Sequence, residues 1–117
     1  MSKCVSPLFG ILLAAALAPA HLSAAPVKIV GFDDMSCSAW IKSKDDAELR
    51  GNYLAWVRGV LSGHNYANQS QQVSSISSGT VENFLNRYCV EKPSGDLSEA
   101  AFRMTDKFSG RNQAITK

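Results

Sequence analysis

Past residue 24 the chain keeps two cysteines, Cys37 and Cys89, and each lies on an apolar stripe with helical spacing. Cys37 repeats with Trp40 and Ile41 at i, i+3 and i+4, and Cys89 closes the series Val81, Phe84, Leu85, Tyr88. Two such stripes must meet to form a core, so a bridge between them fits the packing. Closing a loop of roughly fifty residues stabilises a fold by about 4 kcal/mol in the chain-entropy model. That is comparable with the whole stability of a small domain. A zinc site would need two further ligands, and the helices offer only His64. A redox pair would sit close in sequence, as Cys-x-x-Cys. A structural disulfide is the reading that survives.

The third cysteine, Cys4, belongs to a leader. Residues 1–24 carry Lys3, an apolar run from Leu8 to Leu17 and small residues at Ala18, Ala20 and Ala24. That order is the pattern of a secretory signal peptide, cleaved after Ala20 or Ala24. The run falls short of the ~20 apolar residues of a membrane span. Export to the periplasm or beyond follows, an oxidising setting in which two thiols pair. Lys3 leaves with the leader, so eleven basic residues face ten acidic ones. So balanced a surface offers no basic field for nucleic acid. A remainder of about ninety residues makes one domain, small enough for a covalent staple to matter.

Along residues 25–117, Pro26 to Phe32 read as an extended lead-in without a partner strand. Asp33, Asp34 and Ser36 offer N-cap oxygens to a first short helix. After a polar break at 42–46, a second helix is expected over 46–66, with Leu49, Tyr53, Trp56, Val57, Val60 and Leu61 on one face. Gly51, Gly59 and Gly63 interrupt it, each at roughly 1 kcal/mol against alanine. Either another backbone approaches closely there, or the helix ends near Gly63. The Gln- and Ser-rich stretch 67–79 reads as a loop that buries little. Thr80 is expected to cap a third helix, which Pro93 stops. Asp96 and Glu99 resemble a capping box for a fourth, with Leu97, Ala100, Ala101, Met104 and Phe108 inward, Gly110 at its end and a frayed tail beyond. The fold class is all-α: one domain of about four helices with one disulfide.

Catalysis finds no constellation. His64 lacks a nucleophile motif around any serine, and the serines cluster in a loop. The pairs Asp33-Asp34 and Asp45-Asp46 adjoin helix starts, where the dipole favours negative charge. The chain therefore reads as a non-enzyme without metal or cofactor. Trp56, Gly59, Gly63 and Phe102 form the candidate protein-contact set. The glycines share a side of the second helix, and Phe102 sits one position off the stripe of the fourth, as a partner surface or a second buried edge.

Met35-Ser36-Cys37-Ser38-Ala39-Trp40-Ile41, followed by Asn86-Arg87-Tyr88-Cys89-Val90-Glu91-Lys92-Pro93, resembles the HdeA/HdeB family of periplasmic acid-stress chaperones. The resemblance implies a helical domain over 25–117 that is a homodimer near neutral pH and sheds client-binding monomers in acid. The segment Trp56 to Gly63 looks more like the central helix of type VI secretion immunity proteins, small exported inhibitors of one toxin. The expected partners are therefore other proteins: unfolded clients on the first resemblance, one specific secreted or envelope partner on the second.

Overall fold

The computed structural model describes Gly10 and residues 25–110; the leader and the tail after Gly110 lie outside the described residues. The fold is all-α. Helix α1 (Cys37–Lys42) runs into a 3-10 turn (Ser43–Asp45), followed by α2 (Ala47–Ala67), α3 (Ser78–Glu91) and α4 (Leu97–Phe108). Among the described residues there is no strand, only an isolated antiparallel bridge between Ser36 and Asp96. Two backbone bonds flank it, Cys37 N–H to Gly95 O at 3.0 Å and Leu97 N–H to Met35 O at 2.7 Å. They seat the start of α1 against the turn that follows Pro93.

The disulfide between Cys37 and Cys89 joins α1 to α3 with the Cα atoms 5.2 Å apart. Both residues are buried, together with Trp40, Val57, Leu61, Val81, Leu85, Leu97, Ala100, Ala101 and Met104. The core thus draws on all four helices, and α2 packs mainly on α4.

Each helix starts where a side-chain oxygen can take an unpaired N–H. Ser36 accepts from Ala39 N–H, Asp46 from Leu49 N–H and Asp96 from Ser98 N–H. Four expectations need correction. Ser77, not Thr80, caps α3, accepting Thr80 N–H at 3.1 Å, because the helix begins at Ser78. Glu99 pairs with Arg103 and Lys92 rather than completing a capping box. Ile41 is half exposed, since six residues of α1 are too few to bury more than Cys37 and Trp40. The polar loop after α2 does bury a residue: Val73 joins the core. Asn65 explains it, donating to Val73 O at 2.9 Å and accepting Val73 N–H at 2.7 Å, which draws the loop back onto α2.

The glycines of α2 follow neither expected course. The helix continues four residues past Gly63, and a Cβ built at Gly51, Gly59 or Gly63 meets nothing within 4 Å. Among the described residues no backbone of another element approaches them.

Candidate apolar groove

A groove of about 400 Å³ lies where α2, α4 and the lead-in come together. Trp56 and Val60, one turn apart on α2, form one wall, and Phe102 of α4 forms the other. Gly59 lies between them and contributes no side chain, so the floor stays open. The lead-in runs along the rim, with Val27, Lys28, Ile29 and Val30 completing the lining. Lys28 is the one charged residue of this lining. Trp56 and Phe102 are each half-buried, and neither belongs to the closed core.

The lead-in is tied down at its C-terminal end. The Phe32 ring stands edge-on to Tyr53, with centroids 5.0 Å apart, and the Tyr53 hydroxyl donates to Asp34 O at 2.7 Å. Upstream the hold is slight. Trp56 Nε1–H donates to Val30 O at 2.8 Å, and no backbone–backbone hydrogen bond reaches residues 25–34 among the described residues. Val27 is 70% exposed and Val30 88%.

Three of the four contact residues expected from sequence therefore converge: Trp56, Gly59 and Phe102 line one groove. Gly63 does not join them and faces open space one turn further along α2. Sequence reasoning missed Val60 as a wall, having given it to the core stripe, and missed the lead-in as a lining element. The run Val27-Lys28-Ile29-Val30 was its only signal, since a segment without helical period gives no face to place.

A second hollow of about 480 Å³ lies between α2 and the loop before α3. Arg58 donates to Ser78 Oγ at 2.8 Å there, and His64 Nε2 sits 2.9 Å from Gln71 O. His64 thus anchors the loop. Among the described residues no group of three or more His, Cys, Asp or Glu side chains could hold a metal ion.

No family model matches this chain, and no curated protein or solved structure matches it either. The groove and its surroundings must carry the functional reading. No described helix is long and apolar enough to cross a membrane. The groove's lining offers apolar walls, one indole N–H aimed at a main-chain carbonyl, and Lys28 as its one charged side chain.

Proposed function

We propose that the chain is an exported, protein-binding domain that shields unfolded polypeptides in acid, in the manner of a periplasmic holdase. The observation that carries this reading is the apolar groove of Trp56, Val60 and Phe102 outside the core, on a scaffold whose α1 and α3 are covalently joined. An indole N–H that binds a carbonyl takes any sequence, because every residue offers one. Apolar walls add affinity without demanding particular side chains. Together they suit unfolded clients better than one folded surface. The two cysteine-bearing segments that resemble HdeA/HdeB proteins give the same direction.

Acid supplies the trigger. Ten carboxylates balance eleven basic groups after leader removal, so full protonation takes the net charge towards +11 before termini and histidine are counted. Self-repulsion of that size loosens compact and associated states. The test mixes the mature protein with an aggregation-prone client at pH 2 to 4, neutralises, and follows turbidity. Suppression several-fold better than an inert protein of equal size is expected. No difference from the inert protein overturns the holdase reading and leaves the alternative, an inhibitor of one secreted partner. The segment Trp56 to Gly63 and its open floor at Gly59, able to take a partner's side chain, favour that alternative.

A further inference from the structure

We infer that residues 26–31 are a built-in pseudo-client: a strap that walls one side of the Trp56–Val60–Phe102 groove in cis, occupies the Trp56 indole N–H, and must swing aside before a client segment can take its place. The inference rests on the protein-binding reading and names what regulates that surface. Three observations carry it.

The first is chemical likeness. Val-Lys-Ile-Val is a short apolar run of the kind that an unfolded polypeptide exposes, and it lies against the groove. The second is the mode of attachment. Among the described residues, the one side-chain bond to this stretch goes to the main-chain carbonyl of Val30, from Trp56 Nε1, so any client residue could replace Val30 there. The third is the weakness of the hold. Val27 and Val30 are mostly exposed, no backbone pairing secures residues 25–34 among the described residues, and the firm anchors begin at Phe32 and Asp34. A segment anchored at one end and pinned by one hydrogen bond can swing out without disturbing the core. Its backbone groups are already left to water, so departure breaks few bonds.

The strap lowers the apparent affinity of every competitor by the fraction of time that the groove stands empty. Occupancy of ~90% means an apparent Kd about tenfold weaker than that of an open groove. At neutral pH the strap keeps an apolar surface from promiscuous contact. Loosening of α2 against α4 would release it.

The probe is a fluorescently labelled peptide of residues 26–32, Pro-Val-Lys-Ile-Val-Gly-Phe, added to the full mature protein at neutral pH. A V27S/I29S variant removes apolar contacts of the strap while leaving the α2 and α4 walls of the groove intact. It should bind the peptide about tenfold more tightly than the unaltered protein. Adding Trp56→Phe should cancel much of that gain, since the ring stays apolar but the N–H is lost. Equal peptide affinity for the strap variant and the unaltered protein overturns the inference. Methyl NMR on the unaltered protein gives a measurement free of any folding effect of substitution. Excess peptide should move the Val27, Ile29 and Val30 methyl resonances towards free-peptide positions and leave those of the core in place; unchanged strap resonances while the peptide is bound overturn the proposal. Strap-to-groove contacts seen only at concentrations where the protein is a dimer would place the strap on a second copy, and also overturn the cis assignment. The holdase reading fails separately. A strap variant that gains peptide affinity while neither protein protects a client in acid keeps the strap and rejects the chaperone; acid protection with no gain does the reverse.

Discussion

Arg50 organises more of this molecule than its place in the sequence discloses. Helical period puts it off the apolar face of α2, and it is off that face, yet only 12% of its side chain is exposed. The guanidinium lies 3.5 Å from the centre of the buried Trp40 ring and donates to Trp40 O, Ser43 Oγ, Glu82 and Asn86. Asn86 also accepts Trp40 Nε1–H at 2.9 Å, so the polar edge of a core tryptophan is satisfied from α3, by the same oxygen that accepts from Arg50 of α2. Period assigns a residue to a side of its own helix but not to what another helix brings opposite, which is why this cluster was invisible beforehand. Arg50→Ala should cost about 3 kcal/mol in urea denaturation, the low end for breaking a buried charged pair, because Glu82 is partly solvated. Arg50→Lys should fall between, keeping the charge but losing the planar fork. Tyr88 gives a second test. Burial, then the nearby Glu99 carboxylate, push its phenol up from 10.0 to about 12, against the opposing charge of Arg103. The fold favours the neutral form, so this contribution is whole below pH 10.0 and is lost as pH rises through about 12. The urea midpoint of the native protein should fall across that window, and Tyr88→Phe should remove a measurable part of the fall.

At the scale of elements, the helices were legible because their signals are local. Asp46 and Asp96 cap where their positions imply, Pro93 follows the end of α3, and the two cysteine stripes meet in a disulfide. Segments without period resisted. Val73 is buried where Asn65, eight residues earlier, clamps its backbone, and the lead-in is placed by tertiary partners that include Trp56 and Tyr53. Of the contact residues, Trp56, Gly59 and Phe102 were readable as exceptions to a pattern, while their convergence depended on how α4 crosses α2. Glycines sort differently once their surroundings are known. Gly51 and Gly63 lie in α2 with open space at the Cβ position, so Gly51→Ala and Gly63→Ala should each stabilise the protein by up to about 1 kcal/mol. Gly95 is the opposite case. A Cβ there would sit 2.9 Å from Lys92 O and 3.0 Å from Tyr88 Cε1. Its carbonyl also accepts Cys37 N–H, so the turn cannot retreat without loosening the entry to α1. Gly95→Ala should destabilise by about 1–3 kcal/mol, the usual cost of overpacking. Thermal unfolding of the three variants checks the contrast in sign.

The molecule as a whole is held in two unequal ways. The disulfide ties α1 to α3, while the contact of α2 with α4, beside which the groove lies, depends on packing, and among the described residues no ion pair joins those two helices. The ionic contacts of the described residues that depend on a carboxylate are Glu82 opposite Arg50 and Glu99 beside Lys92 and Arg103. Asp34 is held low by its neighbours. Hydrogen bonds from the Ser36 side chain and backbone hold its carboxyl below 3.8, so its support is present above 3.8 and fades only as pH falls through the lower folded value. Repulsion among eleven basic groups then acts on the whole chain. With the bridge intact, the two halves joined by Cys37 and Cys89 cannot separate, and opening should be confined to the groove and the strap. Without it, nothing covalent restrains the chain, and the stability lost with the bridge is about 4 kcal/mol. At pH 2 the oxidised protein should therefore keep most of its helical circular dichroism with a modestly larger hydrodynamic radius. The same protein reduced with a phosphine should lose helix and expand towards an unfolded coil. If both forms respond to acid alike, the disulfide is not what limits opening, and an acid-opened groove on an intact scaffold loses its physical basis.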